Sequence, residues 1–523
     1  NLYPMDKARI LWVDDEVDSL KAHTIYLESK GYQVAVATNA ADALAYMEAH
    51  PVDAVLLDEH MPGRSGLDAL PDFKRLRPST PVIMVTKSEE EGVMEQAIGG
   101  AIADYLLKPV QPRQVLSSLT RVLGARQLVA DRNLSKYQTQ FRTLSMDMAD
   151  ADSWEAWTRI FTSLIQFDDH LQGPEAEGMR PMLEHQREEA NRLFTRWWAE
   201  VYPNWLHAKD APCMFSHQVF DAQVAPVVKS GRKSVVLVFD NLRLDQWMEL
   251  QPFFLEEFRM VQDERYASLL PTATQYARNA LLSGLLPKDI AARYPKQWVP
   301  DTLDAEGKRN GFEAELLQDW ASRHGLTSVE YAKLTHLGSE QKWVRHWPNV
   351  KSKDLIVVVV NFIDMISHAK TEQSIVRDIA SDDRGFRALT HSWWKNSPLR
   401  AWVSSLAAEG FELFVTTDHG TISVKKPVSI KGSRDLTANM RYKVGRGLEY
   451  AAKEVALSAE PAALGLPSVA LGDKVVFAGE AGYFIYPNQY HQYAGRFEGS
   501  YQHGGISLEE VVIPWAHLKP RGS

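Results

Sequence analysis

The sequence has a single cysteine, Cys213, so no disulfide can form within the chain and a fold held by cross-links is excluded. Long hydrophobic runs are missing as well. The longest apolar stretches, Val235–Phe239 and Leu355–Val360, fall far short of the ~20 residues that cross a bilayer. The opening NLYPMDKARILWVDDE has neither the apolar core nor the cleavage site of a secretory signal. There is also no surplus of positive charge. The formal net charge is −9, which argues against a surface built wholly for nucleic acid while leaving room for a local basic cleft. What is present is an ordinary globular balance, 45% hydrophobic and 24% charged over 523 residues, enough chain for several cores. The expectation is a cytoplasmic multidomain protein that does not engage the membrane.

Three textures follow one another. From about Ala8 to Gly124, short apolar strands alternate with amphipathic helices. Ile10–Val13, Val34–Ala37, Ala54–Leu57, Val82–Val85 and Tyr105–Leu107 read as strands, and Ala40, Ala43, Leu44 and Met47 show helical spacing. This predicts an α/β doubly wound domain on a parallel five-stranded sheet, with its ligand site at the carboxyl ends of the strands. Strand signals then vanish until about Val228. Trp154, Trp157, Ile160, Phe161 and Leu164 predict an α-helical connector bundle, in which His185, Trp197 and Trp198 read as core or interface side chains. A β pattern returns in SVVLVFDNLRLDQW, LIVVVVNFIDMISH and FELFVTTDHG, predicting a third, α/β domain. The expected boundaries are 6–124, 125–228 and 229–519.

Four separated features of the first domain converge. Asp14, Asp15 and Glu16 follow the first strand, Asp58 ends the third, Thr86 the fourth, and Lys108 the fifth. Carboxylates at neighbouring strand ends make a hard oxygen site for Mg²⁺. The metal would offset the charge of an incoming phosphoryl group while Lys108 and Thr86 hold its oxygens and Asp58 attacks. DEHMPGRSG and DYLLKP resemble the receiver domains of two-component response regulators. That resemblance implies phosphorylation of Asp58 and Mg²⁺ held by Asp14, Asp15, Asp58 and the carbonyl of His60. It also implies a switch in which Thr86 and Tyr105 rearrange, with Lys108 beside them. Lys87 and His60 depart from the commonest pattern and flank the path of hydrolytic water.

The third domain has no helix-turn-helix. It has metal-type ligands instead: Asp240 after one strand, Thr272 and Thr274 in PTATQ, Asp364 and His368 four apart, Asp418 and His419 after another strand, and His503 in a glycine turn. Mixed imidazole and carboxylate donors suit Zn²⁺, and their number fits a pair of ions able to hold the attacking and leaving oxygens of a displacement at phosphorus. In this order they resemble the alkaline phosphatase superfamily, and FDNLRLDQW resembles its PglZ branch. The resemblance implies one Zn²⁺ on Asp240, Thr272, Asp418 and His419, and another on Asp364, His368 and His503. Thr272 would be the catalytic nucleophile because it follows Pro271, with Thr274 as its rival.

Receiver, helical connector and PglZ-like domain together resemble the PorX-type response regulators. What this implies is a sensor histidine kinase as phosphodonor, a homodimer favoured by phosphorylation, and control of type IX secretion, with a sigma factor among the candidate partners. It also implies phosphodiesterase action on cyclic or linear oligonucleotides. A non-catalytic adaptor that binds partners or nucleotides is the alternative. The basic stretch Lys425, Lys426, Lys431, Arg434, Arg441, Lys443 and Arg446 reads equally as a solvated loop or as an electropositive wall for substrate.

Overall fold

The computed structural model describes residues 8–78, 80–87, 102–171, 179–299, 311–366, 382–432, 439–468, 470–487 and 497–522. Two compact units divide the chain, one ending at Thr143 and the other beginning at Leu144.

In the first unit the strands are β1 (Arg9–Val13), β2 (Gln33–Ala37), β3 (Ala54–Asp58), β4 (Val82–Thr86) and β5 (Asp104–Leu107). They pair in parallel in the order β2-β1-β3-β4-β5. The central strands β3 and β4 are buried along their whole length, as parallel strands covered on both faces must be. Alternate residues serve opposite cores. Leu11, Val13, Val55, Leu57 and Met84 pack under helices α2 (Ala40–Ala49) and α3 (Gly66–Leu76) on the side of Met47 and Phe73, whereas Ile10, Trp12, Leu56, Ile83 and Val85 meet Leu27 of α1 (Lys21–Ser29), Val115 and Leu119. Asn39 and Ser65 start α2 and α3 by accepting backbone N–H groups of Asp42 and Asp68. A long helix, α4 (Pro112–Ala149), follows.

The expected connector bundle is not a separate packing unit. Helices α5 (Trp154–His170) and α6 (Arg180–Trp205) belong to the second unit together with everything after them. The reason lies in what α6 touches. Trp198 is fully buried and packs against Trp154, Phe194, Tyr202 and Phe215. Thr195 donates to the carbonyl of Ile506, and Asn191 donates to Glu509 and accepts from the amide of Leu508. Trp198 is thus a core residue, as its spacing implied, in a core shared with the third segment.

That segment carries β6 (Ser234–Phe239), α7 (Leu244–Phe254), β7 (Phe258–Ala267), α8 (Thr274–Ser283), α9 (Glu313–Arg323), β8 (Val329–Leu334), β9 (Leu355–Val360), α10 (Asp383–Asn396), β10 (Glu412–Thr417) and β11 (Val512–Pro520). The sheet order is β7-β11-β10-β6-β9-β8. β10, β6, β9 and β8 run parallel, and β11 and β7 are antiparallel additions. The three apolar runs β6, β9 and β10 are wholly buried. Their register ends flush, with Thr417 beside Phe239 and Phe239 beside Val360. The residues that follow these strands therefore meet at one edge of the sheet.

Candidate metal centre

In the receiver, the strand ends deliver Asp14, Asp15 and Asp58 with ligand oxygens all within 4.8 Å of one another. Lys108 Nζ lies 2.8 Å from Asp14 and 2.9 Å from Asp58. Burial raises the Asp58 carboxyl, Lys108 works against that, and the charge of Asp14 adds to it. Asp58 Oδ1, on the residue expected to attack, is buried. Gly66 is required here: a Cβ on it would sit 2.2 Å from the Asp58 carbonyl oxygen. Thr86 is buried at the end of β4 and Tyr105 is 43% exposed; His60 is exposed next to the acceptor.

At the edge of the second sheet, ligand atoms of Asp240, Asp418 and His419 also fall within 4.8 Å of one another, every residue at most 1% exposed. Burial pushes Asp240 up to about 6, Arg278 opposing and Asp418 and Asp364 reinforcing the rise. Asp418 is raised for the same first reason. Two buried carboxylates short of positive charge are what a bound cation relieves. His419 is held below its ordinary value by burial, so its ring is neutral at pH 7. Its Nδ1 lies 3.1 Å from the carbonyl oxygen of Gly420. A carbonyl only accepts, so the proton is on Nδ1 and Nε2 offers a lone pair to the cluster. His503 is set the same way, Nδ1 lying 3.2 Å from the carbonyl of Thr272, and its ring stacks on His419 at 4.2 Å. Backbone-anchored imidazoles beside buried carboxylates are a donor set that fits Zn²⁺.

Asp364 sits on a helical turn after β9 and accepts from Asn241 Nδ2 at 3.4 Å. Asn241, directly after Asp240, is in the left-handed region with φ 66°, and its amide donates to Asp418. His368 lies outside the described residues, as does Arg434.

The two threonines separate here. The Thr272 hydroxyl donates to the Gly505 carbonyl at 2.8 Å and accepts from the Gly504 amide at 3.0 Å, and the residue is fully buried. Its hydroxyl is committed to the backbone, and it is the Thr272 carbonyl that meets an expected ligand, His503. Thr274 Oγ1 is the one that faces them, 3.1 Å from His419 Nε2 and 3.5 Å from Asp240 Oδ1. Of the pair, the threonine that follows Pro271 has its hydroxyl turned to the backbone and the other faces the carboxylates. The useful signal was that Thr274 begins α8, where the unsatisfied N–H groups of a first turn favour an anion.

Three residues given no role by spacing acquire one. Arg278, one turn along α8 from Thr274, pairs with Asp240 at 2.6 Å, Asp418 at 3.3 Å and Glu313 at 2.6 Å. Lys333 reaches Glu313 at 3.2 Å. Arg243 is buried, pairing with Asp245 and, at 2.7 Å, with Asp383. Among the described residues of the basic stretch after Lys425, most cations have partners. Arg441 is fully buried on Glu510, Lys443 is buried over the Tyr486 ring, and Lys425, Lys431 and Arg446 face Glu188, Glu449 and Asp473.

Comparison with known proteins agrees with this layout. Residues 10–120 match the response regulator receiver domain, 127–206 the PorX response regulator linker domain, and 219–517 the BREX system PglZ alkaline phosphatase-like domain. Among curated relatives, the alginate biosynthesis transcriptional regulatory protein AlgB of Pseudomonas syringae is 36% identical over 125 residues, 24% of this chain and 28% of that protein. The phosphate regulon transcriptional regulatory protein PhoB of Pseudomonas aeruginosa is 35% identical over 22% of this chain and 51% of its own length. The chain thus spans between about a quarter and half of these relatives. A CheY-like receiver domain from Methanospirillum hungatei is 33% identical over 23% of this chain and 97% of that structure, with a TM-score of 0.22. A receiver domain implies a phosphodonor such as a histidine kinase, and no described helix is long and apolar enough to cross a membrane. The PglZ match covers more than half of the sequence, and with the receiver and PorX linker ahead of it the chain belongs to the PglZ family in the arrangement of a PorX-type response regulator.

Proposed function

We propose that this protein is a response regulator whose output domain is a zinc-dependent phosphodiesterase, switched by phosphorylation of Asp58, with Thr274 as its nucleophile. The observation that carries the reading is the Thr274 hydroxyl resting on His419 Nε2 and Asp240 Oδ1 at the start of α8. Asp240, Asp418 and His419 would hold one zinc ion, and Asp364 and His503, with His368, the other. Bound there, the pair supplies Lewis acidity to the attacking and leaving oxygens. Thr274 Oγ1 would release its proton to solvent and attack phosphorus, the P–O bond to the leaving alcohol would break, and that oxygen would take a proton from solvent. The first-turn amides of α8 face the phosphoryl oxygens. Water then cleaves the phosphothreonine ester and restores the hydroxyl.

The substrate class, cyclic or linear oligonucleotides, and a place in type IX secretion control rest on the PorX-type arrangement. So does a dimer favoured by phosphorylation, through rearrangement of Thr86 and Tyr105. The test is hydrolysis of bis(p-nitrophenyl) phosphate by the zinc-loaded full chain. Thr274→Ala should lower kcat by about a thousandfold or more, while Thr272→Ala keeps measurable turnover. The reverse pattern would return the nucleophile to Thr272. Zinc content near zero and no turnover in the wild type would leave the adaptor reading.

A further inference from the structure

Helix α8 presents two side chains to the carboxylates of the centre, one helical turn apart. Thr274 meets the face of Asp240 that carries Oδ1, and Arg278 takes Oδ2 of the same residue. Arg278 Nη1 also reaches Asp418 Oδ2, whose other oxygen is fixed by the amides of Asn241 and His419. On its far side the guanidinium is anchored by Glu313, which starts α9 and accepts in turn from Tyr331 and Lys333 on β8. Arg278, Glu313, Asp240 and Asp418 are each at most 1% exposed. A buried guanidinium with ionic partners on two sides has little freedom to turn, and its planar fork fixes the direction of the carboxylates it binds.

We infer that Arg278 is a positioning residue. It holds Oδ2 of Asp240, whose Oδ1 faces His419, and Oδ2 of Asp418, which lies 3.6 Å from His419 Nε2, so that the lone pairs left on both carboxylates point at one metal position, and Glu313, Tyr331 and Lys333 form the outer frame that holds Arg278. The inference rests on the zinc reading above. It assigns the precision of the site to a second helix and an edge strand that carry no ligand. Removing such an outer partner characteristically costs 10–100-fold in metal affinity or activity.

The experiment measures zinc affinity of the full chain by competition with a chromogenic chelator, alongside thermal melting of the metal-free protein. Arg278→Met is expected to weaken zinc binding by at least tenfold, with Arg278→Lys recovering part of the loss. Because Arg278→Met removes a buried charge and risks misfolding, Tyr331→Phe is the decisive second variant. It lies two contacts from Arg278, through Glu313, and should weaken zinc binding about threefold while the metal-free melting temperature stays within about 2 °C of wild type. Zinc affinity unchanged in Tyr331→Phe and Arg278→Lys, or tighter in Arg278→Met, would overturn the assignment, since a mere balancing charge would repel the metal and its loss in Arg278→Met would help binding. A wild-type chain that binds no zinc would overturn the metal reading itself and this inference with it.

Discussion

The receiver and the output domain place carboxylates at the same spot, the carboxyl ends of adjacent parallel strands, and then treat their charge in opposite ways. In the receiver, Asp15 is exposed and a single flexible cation, Lys108, answers both Asp14 and Asp58. In the output domain, Asp240, Asp418 and His419 are sealed from solvent, and the cation beside them is a guanidinium locked from behind by Glu313. An open site with a movable ammonium suits a metal that arrives and leaves with phosphoryl chemistry. A sealed site with a fixed fork suits a resident ion. On the zinc reading proposed above, the same topological rule would serve a transient cation in one place and a resident one in the other.

The sharpest way to break that comparison is to remove one carboxylate from each site. Asp58→Asn should abolish labelling by a small-molecule phosphodonor and leave zinc content unchanged. Asp418→Asn should do the converse, with zinc stoichiometry falling by about one ion per chain and labelling intact. If either substitution moved both readouts, the two sites would not be independent.

A smaller effect tests whether both sites rest on close backbone approach. A Cβ on Gly66 would meet the Asp58 carbonyl oxygen at 2.2 Å, and one on Gly420, next to His419, would meet that of Glu509 at 1.9 Å. Neither clash can be relieved by turning a side chain. Each alanine substitution should cost about 1–3 kcal/mol in denaturant unfolding, Gly66→Ala in the receiver transition and Gly420→Ala in the output transition. A neutral result at either position would show that its backbone gives way.

How legible these sites were in the sequence follows from what each depends on. The gathering of Asp14, Asp15, Asp58 and Lys108 was readable, because they lie directly at the ends of short apolar strands and strand order alone brings them together. Asp240, Asp418 and His419 were readable for the same reason. Thr272 against Thr274 was not, since two residues in one turn differ only in which way the chain points them, and the glycines at 504 and 505 decide that by claiming the Thr272 hydroxyl. Arg278 carried no signal at all; its importance comes from a partner, Glu313, that only the tertiary fold brings near. The basic stretch, which the sequence left open between a solvated loop and a cationic wall, shows the opposite difficulty. Counting charges along the chain ignores Glu510 and Asp473, which answer Arg441 and Arg446 from other segments.

The linker offers a further test, because α6 touches the output site indirectly. Asn191 bonds both Glu509 and the amide of Leu508, and Thr195 holds Ile506, all within a few residues of His503. Asn191→Ala leaves two buried groups short of a partner and should cost about 1–3 kcal/mol of stability. It should also loosen the loop that carries His503, seen as a lower zinc affinity, whereas magnesium binding by the receiver should be unaffected. Equal loss at both metals would mean the helix stabilises the whole chain rather than this loop.

The smallest expected effect lies at the other end of the same sheet. His517 on β11 meets Glu412 at the start of β10 at 2.6 Å, both nearly buried. Burial holds His517 below its ordinary value, Glu412 pulling the other way. Burial alone would raise Glu412, but His517 and Arg232 bring it below the usual carboxylate range. For both groups the unfolded chain binds protons more tightly than the folded one. Their contribution is therefore present at neutral pH and is lost as pH falls, first below the ordinary histidine value near 6.5 and then through the carboxylate range. A variant carrying His517→Asn and Glu412→Gln should be less stable at pH 7.5 by on the order of 1 kcal/mol. It should also lose less than wild type between pH 7.5 and 5.0 in metal-free denaturation. The metal ligands titrate identically in both proteins, so the difference between the two slopes belongs to this pair. A slope unchanged by the substitutions would place the acid sensitivity of the sheet at its carboxyl end, among the carboxylates of the metal site.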